Sequence, residues 1–546
     1  MAKEGHKYIF VLGGVMSGVG KGVATSSIGL ILEHRGYPVN LVKVDPYLNV
    51  DAGTMNPTEH GEVFVLRSGL ETDQDMGNYE RFLNRNLTKE DYMTSGMVYQ
   101  SVIMRERSLG YKGRFVEAIP HVRDEIIERI EAAASHNGSH VSVVEIGGTV
   151  GDFQNALFIE AARVMKMQHS DDVLFVIVSY LPVPSTIGEM KTKPTQNAVR
   201  QLNSYGVQPD FLIARSLHPL DDKRKEKLAI WCNVRSDRVI SAPDVTSIYE
   251  VPLNFVKDKL GDTLLDILHL PGKRRTNLTR WTHFAKAATN KNAPAVKIAV
   301  VGKYMSLKES YKSLMEALVH GGIANDARVE LDCIEAEKIE EAGVKGLLDQ
   351  ADGILVPGGF GDRGSEGKIT TARYARENRI PYFGICLGMQ MAVVEFARNV
   401  CGLADANSSE FDDKTPHPVI HLMETQKGID KKGATMRLGA YPCILQEESL
   451  ALKLYGKKKI SERHRHRYEF NNNYRELLSR HGMVLSGLSP DGSLVEIIEL
   501  KDHPWFLGCQ FHPEFKSRPM DCHPLFKGFI KAALQYRLAL KEVPRI

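Results

Sequence analysis

A glycine-rich stretch near the amino terminus, residues 9–22 with the sequence IFVLGGVMSGVGKG, constrains the fold more than any other part of the chain. An apolar, β-forming run at residues 8–12 leads into it, and a segment of helical character follows from residue 23. Glycines allow backbone N–H groups to close on an anion, and the amino terminus of a helix adds partial positive charge. Because Lys21 brings a full charge to the same turn, the stretch predicts a strand, a phosphate-binding loop and a helix. A glycine-rich turn that binds nothing is the alternative, but it gives no reason for the lysine.

This loop is not a strict Walker A motif, and the difference bears on how a metal would be held. Val15 stands where the first glycine is expected, and Gly22 follows the lysine where Ser or Thr would ligate magnesium. Oxygen ligands must then come from carboxylates. We therefore predict Asp75, in a polar loop-like segment, and Glu145, at the end of a strand, as a Mg²⁺ pair. Either carboxylate taken alone is more often a solvated loop charge.

Strand-like runs alternate with helix-length segments in both halves of the chain. Lys43 lies near the end of a buried strand at residues 39–45, from which it could reach the phosphate loop across a parallel sheet. The alternation weakens and charge increases at residues 273–295, and strands resume at residue 296. We predict an α/β protein of two doubly wound domains, residues 1–272 and 296–546, joined by a linker at residues 273–295.

Composition excludes several classes of protein. A chain of 546 residues is too long for one core, so two to four domains are expected. The 70 basic and 67 acidic residues nearly balance, which gives no global signal for nucleic acid. The start lacks the apolar core of a signal peptide and nowhere do 18 apolar residues run together, so we predict a cytoplasmic protein without a membrane partner. Seven cysteines, with no C-x-x-C pair, argue against a disulfide framework or a structural zinc site.

A second candidate anion site lies at residues 191–196, with the sequence KTKPTQ. Two lysines with hydroxyls and an amide around a proline suit a second polyphosphate. A charged surface turn is the alternative interpretation.

The second half of the chain contains the parts of a cysteine-based catalytic triad. Gly384 and Gly388 flank Cys386 at a predicted passage from strand to helix, which has the form of a nucleophile elbow. His512 and Glu514 are two residues apart, so an extended segment places them on one face, where the carboxylate can orient the imidazole that activates the cysteine. Cysteine alone is a common buried residue, but the three together predict nucleophilic catalysis. The glycines of residues 358–361 offer backbone donors for an oxyanion hole.

The run ERHRHRYE at residues 462–469 looks like a nucleic-acid patch if it is judged by charge alone. It is short and bracketed by glutamates, so we predict a solvated or substrate-facing segment instead.

With these motifs in view, the chain closely resembles the CTP synthase family over nearly its whole length. The matching motifs are SGVGKG at 17–22, DPYLNVD at 45–51, HGEVF at 60–64, GNYER at 77–81, EIGGTVGD at 145–152, KTKPTQ at 191–196, CLGMQ at 386–390, RHRHRYE at 463–469 and FHPE at 511–514. Cysteine-triad amidotransferase domains occur in many enzymes, and the first half of the chain is what narrows the substrate.

The resemblance implies an amino-terminal P-loop-like synthetase domain and a carboxyl-terminal class I glutamine amidotransferase domain. It implies ATP-dependent amination of UTP at C4, through a 4-phosphorylated UTP, with ammonia taken from L-glutamine. It also implies Mg²⁺, GTP as an activator, CTP as a feedback inhibitor, an internal ammonia path, and a homotetramer that can stack into filaments.

The resemblance assigns roles to individual residues. For ATP they are Gly18, Val19, Gly20, Lys21, Gly22 and Asp75, with Lys21 and Lys43 supporting phosphoryl transfer and Asp75 and Glu145 on the metal. For UTP they are Ser17, Lys191, Thr192, Lys193, Pro194, Thr195, Gln196 and Lys227, and for inhibitory CTP they are Ser17, Asp152, Phe153 and Gln154. For glutamine they are Gly359, Leu387, Gln390, Glu410 and Arg467, beside the catalytic Cys386, His512 and Glu514.

One segment departs from the resembled family, which usually reads GDIES where residues 151–155 read GDFQN. The departure concerns the feedback site and not the catalysis. Two alternatives remain open at this point: another two-domain, ATP-dependent glutamine amidotransferase such as one acting on cobyrinate, and a nucleotide-sensing filament protein without catalysis. The first should lack the lysine-rich segment at 191–196, and the second should show decay of catalytic positions that are intact in this chain.

Overall fold

The computed structural model describes residues 5–136, 138–186, 188–272, 277–423, 426 and 433–542. The chain forms two compact units: Met1–Asp51 with Asn78–Thr289, and Ala52–Gly77 with Asn290–Ile546. No helix in the described ranges is long and apolar enough to cross a membrane.

The elements up to residue 289 alternate between strands and helices. The strands are β1 Lys7–Gly14, β2 Val39–Asp45, β3 Val63–Val65, β4 Glu71–Asp73, β5 Tyr92–Thr94, β6 Val141–Ile146, β7 Val173–Leu181, β8 Phe211–Ser216 and β9 Val239–Pro243. The helices are α1 Lys21–His34, α2 Pro57–His60, α3 Asp75–Leu83, α4 Ser95–Arg107, α5 Arg123–His136, α6 Ala156–Gln168, α7 Lys193–Ser204, α8 Asp222–Cys232, α9 Val251–Lys257, α10 Leu260–Ile267 and α11 Thr279–Ala288.

The first unit is built on a seven-stranded sheet of order β5-β2-β6-β1-β7-β8-β9, and all its pairings are parallel. Parallel strands that are covered by helices on both faces are buried on both sides, which is why every residue of β2 and β6 is buried. The predicted doubly wound α/β fold is confirmed here. The carboxyl ends of β1, β2 and β6 meet at one edge, where the phosphate loop lies.

The elements from residue 290 onward contain more strands than the first half. The strands are β10 Ala295–Gly302, β11 Arg328–Glu335, β12 Gly353–Val356, β13 Tyr382–Ile385, β14 Ala406–Ser408, β15 His417–Leu422, β16 Arg437–Leu445, β17 Lys459–His466, β18 Tyr468–Phe470, β19 Met483–Leu488, β20 Val495–Leu500 and β21 Phe506–Cys509. The helices are α12 Lys312–Ile323, α13 Ala336–Ala342, α14 Ser365–Glu377, α15 Leu387–Asn399, α16 Leu450–Tyr455, α17 Arg475–Arg480 and α18 Pro524–Glu542.

The second unit has a nine-stranded mixed sheet of order β11-β10-β12-β13-β21-β20-β19-β16-β17. The five strands from β11 to β21 pair in parallel, as predicted for a doubly wound domain. The strands from β20 to β17 pair antiparallel and extend the sheet in a way that the βαβ rhythm did not predict. Both β13, which leads to Cys386, and β21, which leads to His512, lie in the parallel part.

The division into units differs from the expected boundaries in two places. Within the expected linker, residues 273–276 lie outside the described residues, but α11 is a helix of the first unit, where buried Trp281 donates its indole N–H to the Tyr249 carbonyl (2.8 Å). Residues 52–77 belong to the second unit. There the Glu62 carboxylate accepts the backbone N–H of Ser313 (3.0 and 3.1 Å), and Arg463 donates to the Val65 carbonyl (2.9 Å). Such contacts join residues far apart in sequence, so local patterns do not reveal them.

Candidate active sites

The predicted phosphate loop connects β1, which ends at Gly14, with α1, which begins at Lys21. Gly18 and Gly20 adopt φ of 69° and 87°, as the glycine pattern requires. Val15 adopts φ of 76°, a conformation that is costly for a β-branched residue. Backbone strain of this kind persists mainly at functional loops, and residues 15–18 are exposed to solvent.

The side chain of Lys21 is held at the mouth of this loop. It is only 9% exposed, and its Nζ donates to the Gly148 carbonyl (2.8 Å) in the turn after β6. A Cβ placed on Gly13 would lie 2.7 Å from that Nζ, so the glycine makes room for the ammonium. The lysine is therefore positioned by the fold before any phosphate arrives.

A buried ion pair lies next to the loop. Lys43 and Glu145 face each other across β2 and β6, with Nζ 3.0 Å from Oε1, and Asp45 is 3.7 Å from the same Nζ. The second oxygen of Glu145 accepts a hydrogen bond from the Tyr79 hydroxyl. Lys43 thus neutralises Glu145, which is a role that the strand pattern did not specify.

The proposed metal ligands are carboxylates, which suit Mg²⁺. Glu145 belongs to the first unit and Asp75, the first residue of α3, to the second, so their pairing stays a prediction. Within the part of the chain that the structure describes, no three His, Cys, Asp or Glu side chains form a group able to hold a metal alone.

A cavity of about 370 Å³ opens beside the phosphate loop, within the first unit. One lining residue, Gly20, was already assigned to ATP. The other lining residues were missed by the sequence analysis: Val23, Ala24, Val178, Ile213, Arg215, Ala242, Pro243, Asp244, Val245, Ile248, Val251, Asn254 and Phe255. Arg215 and Asp244 form an ion pair at its rim (2.6 Å). The position of this cavity could have been predicted from the order of the strands, because ligands of open α/β sheets bind outside the carboxyl ends of the strands, here β7 to β9.

The segment at residues 191–196 divides between exposed and buried side chains. Lys191 pairs with Glu189 (2.7 Å). The hydrogen bond from Lys191 lowers the pKa of Glu189 most, and the charges of Arg224 and Lys227 lower it further. Lys191 and Lys227 thus both favour the charged form of Glu189, and their joint role in binding one triphosphate stays a prediction.

The other assigned side chains of this segment support α7. Pro194 lies in its first turn, where a proline costs no hydrogen bond. Thr195 is fully buried and its hydroxyl contacts Ser179 Oγ (2.8 Å), while Gln196 donates to Thr192 (3.2 Å). Thr195 and Gln196 thus already have protein partners, and the positive charges at the start of the helix come from Lys191, which pairs with Glu189, and Lys193, which lies over the Trp231 ring.

Residues 151–155 form a short turn after β6. Phe153 is 97% exposed and Gln154 is exposed, but Asn155 is buried and donates to the carbonyls of Gly147 (3.2 Å) and Thr149 (3.0 Å). Asp152 accepts the Thr149 N–H (2.7 Å). Asn155 therefore supports the turn whose Gly148 carbonyl anchors Lys21, while the other two unusual residues, Phe153 and Gln154, lie on the surface.

In the second unit, Cys386 lies in the sharp turn between β13 and α15 that its flanking glycines predicted. It adopts φ of 51°, which is unusual for a residue with a side chain. A Cβ on Gly384 would lie 2.7 Å from the Gly388 backbone, and one on Gly388 would lie 2.0 Å from the Val356 carbonyl. Only glycine fits at both positions, so the nucleophile elbow is confirmed as a local structure.

His512 and Glu514 meet, with Nδ1 2.7 Å from Oε1. They do so without the predicted extended segment, because Pro513–Lys516 form a short 3-10 helix that begins directly after His512. A Cβ on Gly358 would lie 2.7 Å from the imidazole Cε1 and 3.5 Å from the Cys386 Cβ, which places both catalytic side chains against one glycine. Burial lowers the pKa of His512, but the charges of Glu514 and Cys386 outweigh burial and raise it. Its Nε2 is buried without a hydrogen-bond partner in the described residues. The imidazole is therefore oriented to take a proton at Nε2.

A pocket of about 560 Å³ opens onto Cys386. Its lining residues are Gly359, Phe360, Gly361, Cys386, Gln390, Glu410, Leu422, Gln426, His466, Arg467 and Tyr468. Four of the five residues assigned to glutamine line it, and Leu387 is buried next to Cys386 at the start of α15. Glu410 and Arg467 supply opposite charges, which match the ammonium and carboxylate of an amino acid.

The loop at residues 358–361 is fixed by a lysine that the sequence analysis missed. Lys303 is buried and its Nζ donates to the carbonyls of Phe360 and Gly361, 2.6 Å each. Gly361 donates its N–H to Glu410 (2.7 Å), so this donor is not free for an oxyanion. The oxyanion role of the remaining backbone donors stays a prediction.

Comparisons of the sequence with known families and proteins identify the family of each half of the chain. A family model described as "CTP synthase N-terminus" matches residues 7–270, and one described as "Glutamine amidotransferase class-I" matches residues 306–532. A CTP synthase of Geotalea uraniireducens is 54% identical over 97% of this chain and 98% of its own length. One of Syntrophus aciditrophicus is 53% identical over 97% and 98%. The chain belongs to the CTP synthase family.

Among solved structures, the glutaminase domain of a Trypanosoma brucei CTPS with bound acivicin is 41% identical. The match covers 44% of this chain and 94% of that chain, with a TM-score of 0.41.

The arginine- and histidine-rich motif of this CTP synthase family member was predicted to be solvated or substrate-facing. The solvated alternative is wrong, because β17 is largely buried, whereas His466, Arg467 and Tyr468 line the pocket at Cys386, as the substrate-facing alternative expects. Its arginines and histidines alternate along β17, so they point to opposite faces of the sheet. Arg465 pairs with Glu71 (2.7 Å), and Arg467 donates to Gln426 Oε1 (2.6 Å) at the glutamine pocket. His464 and His466 are buried, with His464 Nδ1 3.1 Å from His466 Nε2, and His466 also lines the glutamine pocket. Charge count had suggested exposure, but each charge has a protein partner.

The buried His466 predicts an acid-sensitive second unit. Burial, and then the positive charge of Arg437, lowers its pKa to about 3. Its folded-state pKa lies below its unfolded value near 6.5, so its contribution is complete above about pH 6.5 and is lost as the pH falls toward 3. We expect roughly 2–3 kcal/mol less stability at pH 4.5 than at pH 7.5 from this group.

Urea unfolding of the original chain and of His466→Gln at both pH values checks this prediction. The variant should lose less stability between the two pH values than the original chain. An equal loss in both proteins would contradict it.

Proposed function

We propose that this chain converts UTP to CTP with ATP and L-glutamine, consistent with its membership of the CTP synthase family. The observation that carries the proposal is that one chain holds an anchored lysine in a phosphate loop and a complete Cys386, His512 and Glu514 triad. An assay of CTP formation from UTP, ATP and glutamine tests it, with cobyrinate as the alternative acceptor. Amidation of cobyrinate without CTP formation would overturn it.

The synthetase reaction follows from the chemistry of uracil. The oxygen at C4 is a poor leaving group, so the γ-phosphoryl of ATP is first transferred to it. Ammonia then adds to C4, and inorganic phosphate departs with the electron pair of the broken C–O bond. Lys21 stabilises the phosphoryl charge as it moves, and the pre-positioned ammonium requires no reorganisation. Asp75 and Glu145 would hold magnesium, which would supply positive charge to the phosphates.

The glutaminase reaction uses the second unit. His512 Nε2 takes the thiol proton, and the Cys386 sulfur attacks the side-chain amide carbon of glutamine. The C–N bond breaks, and His512 returns the proton to the departing nitrogen, which leaves as ammonia. Water, deprotonated by His512, then hydrolyses the thioester and releases glutamate. Glu514 holds the imidazole in the tautomer and orientation that both proton transfers require.

We assign the cavity beside the phosphate loop to the adenosine of ATP. Its walls are largely apolar, its polar rim is formed by Arg215 and Asp244, and Gly20 belongs both to the cavity and to the loop. A base bound there would leave its phosphates directed at the amino terminus of α1. We assign UTP to Ser17, Lys191 and Lys227, supported by the shared effect of both lysines on Glu189.

Feedback inhibition by CTP is proposed at Ser17 and residues 152–154. The exposure of Phe153 and Gln154 leaves both side chains free to meet a ligand. In the resembled family a carboxylate occupies the position of Gln154, and a carboxylate makes a stronger, charge-assisted hydrogen bond than an amide.

We expect Gln154→Glu to lower the CTP concentration that gives half inhibition by roughly fivefold, about 1 kcal/mol, because the amide oxygen already accepts a neutral hydrogen bond. Turnover without CTP should change little. Inhibition curves of the two proteins at fixed UTP measure the effect. Unchanged or weaker inhibition would mean that Phe153 and Asn155 have re-tuned the pocket around the amide.

We propose that ammonia leaves Cys386 through a second cavity, of about 210 Å³, which is also lined by His512, Lys303 and Val63. GTP is proposed as the activator of the glutaminase half-reaction. Comparing glutamine- and ammonium-dependent CTP formation with and without GTP tests that proposal, since an activator of the triad should raise only the first.

We propose a cytoplasmic homotetramer that stacks into filaments. Five large apolar side chains between residues 103 and 119 are exposed in the single chain: Ile103, Met104, Leu109, Phe115 and Ile119. Exposed apolar groups in one stretch favour an interface between copies. All seven cysteines are free thiols, in keeping with a reducing compartment. Sedimentation of the full chain with and without nucleotides tests the assembly.

A further inference from the structure

A buried glutamine contacts the catalytic sulfur. Gln510 directly follows β21, is 1% exposed, and its Nε2 lies 3.5 Å from Cys386 Sγ. The backbone on either side is also fixed, because Gln510 donates its N–H to the Glu496 carbonyl (2.8 Å) and the Cys509 carbonyl accepts the N–H of Cys386 (2.7 Å). The side chain therefore reaches the sulfur from a rigid position.

A chain of hydrogen bonds sets which end of the Gln510 amide faces the sulfur. Gln390 Nε2 donates to the Tyr468 carbonyl (2.9 Å), which can only accept, so this atom must be the nitrogen. The same Nε2 is 3.1 Å from Gln510 Oε1, which must therefore be the oxygen. The N–H group of Gln510 is left directed at Cys386.

The sulfur has different partners on its other sides. Its thiol hydrogen is directed at the Arg465 carbonyl, 3.9 Å away. His512 acts on the sulfur as well, because the Cys386 side chain raises the pKa of the imidazole through its charge and through hydrogen bonding. Gln510 supplies a further N–H group directed at Sγ, and this contact strengthens when the sulfur becomes a thiolate.

We propose that Gln510 is a catalytic residue of the glutaminase half-reaction, in which its side-chain N–H stabilises the Cys386 thiolate. The proposal rests on the proposed function of the triad and extends it. The thiolate forms when His512 takes the thiol proton before attack on the amide carbon, and it forms again as the leaving group when hydroxide from water cleaves the thioester C–S bond. The N–H of Gln510 stabilises the negative sulfur at both moments and transfers no proton itself.

The same side chain couples the nucleophile to the substrate pocket. Gln390 lines the pocket of about 560 Å³, and its Nε2 holds Gln510 through Oε1. A glutamine molecule that displaces or tightens Gln390 therefore acts on the hydrogen bond to the sulfur.

The test measures the sulfur directly in the full-length enzyme. Alkylation of Cys386 by iodoacetamide is followed as a function of pH by mass spectrometry of its peptide, which separates it from the exposed Cys333. Gln510→Leu removes the N–H at similar volume, and Gln510→Glu replaces it with a carboxylate oxygen. We expect the midpoint of the pH profile to rise by about one unit in Gln510→Leu and by more in Gln510→Glu. Glutaminase kcat should fall about 10- to 100-fold with KM within about threefold.

Two comparisons separate this role from a loss of structure. Ammonium-dependent CTP formation should stay within about twofold in both variants, because it does not use the sulfur. Asn471→Leu is the matched control, since Asn471 is another buried amide of the same unit that donates to the Pro418 carbonyl (2.8 Å). It should leave the alkylation profile unchanged.

Three outcomes would overturn the proposal. They are a midpoint that moves by less than about 0.3 unit in both Gln510 variants, an equal shift in Asn471→Leu, and a parallel loss of ammonium-dependent activity. Absence of CTP formation from ammonium in the unmodified enzyme would instead refute the proposed function, and it would leave the alkylation result to decide the role of Gln510.

Discussion

Replacing Cys386 with alanine is expected to abolish glutamine-dependent CTP formation and to leave ammonium-dependent formation within about twofold of the original enzyme. The physical reason is the separation of labour between the two units. The sulfur that attacks glutamine lies at the elbow of the second unit, while the phosphate loop and Lys21 belong to the first. Free ammonia needs no thioester.

Steady-state rates with glutamine and with ammonium chloride, at saturating UTP and ATP, measure this difference. Alanine retains the Cβ of Cys386, which lies next to Gly358, so the elbow should keep its shape. A matched control is Cys443→Ala, because Cys443 is a buried thiol of the same unit on β16, outside the catalytic triad. It should retain both activities. Equal loss with both nitrogen sources in Cys386→Ala would refute the division of labour.

Replacing Lys21 with alanine is expected to lower CTP formation at least 100-fold with either nitrogen source, about 3 kcal/mol of transition-state stabilisation. Lys21 is anchored on the Gly148 carbonyl and is nearly buried, so its charge is fixed where phosphate charge moves. Glutaminase turnover, measured as glutamate release with nucleotides present, should persist in part because the triad is intact.

The control for Lys21→Ala comes from the same strand. Lys7 lies at the opposite end of β1 and forms a partly buried ion pair with Asp172 (2.5 Å), so Lys7→Ala removes a lysine from the same unit without touching the loop. That variant should keep CTP formation within about twofold, because the removed charge lies at the end of the strand away from the phosphate loop. A loss of less than fivefold in Lys21→Ala would mean that the lysine only supports the loop.

Local chemistry explains why so much of both sites could be predicted from sequence. The phosphate loop and the nucleophile elbow are single turns, and glycine is required where a Cβ would collide with nearby atoms, as at Gly384 and Gly388. His512 and Glu514 are only two residues apart, so their contact could also be predicted from the sequence. Strand and helix rhythm was sufficient to predict a parallel sheet, because buried parallel strands leave continuous apolar runs.

Features that depend on distant residues were not predicted. The run at residues 462–469 was interpreted as solvated or substrate-facing, and its charge count did not reveal that Arg465 meets Glu71 or that its histidines are buried. Residues 52–77 were assigned to the first domain, yet they belong to the second unit through contacts such as Glu62 with Ser313. The cavity beside the phosphate loop was also missed, because the ends of three separate strands form it.

The sequence by itself determined the α/β class, the phosphate loop, the triad and the family of this protein, because each depends on residues that are neighbours in the chain or on a full-length resemblance. The tertiary structure alone decided which groups are paired in the interior: Glu145 with Lys43, Glu71 with Arg465, and the Gln510 amide beside the Cys386 sulfur. Buried polar groups must be paired, and the pairs form across strands that only folding brings together.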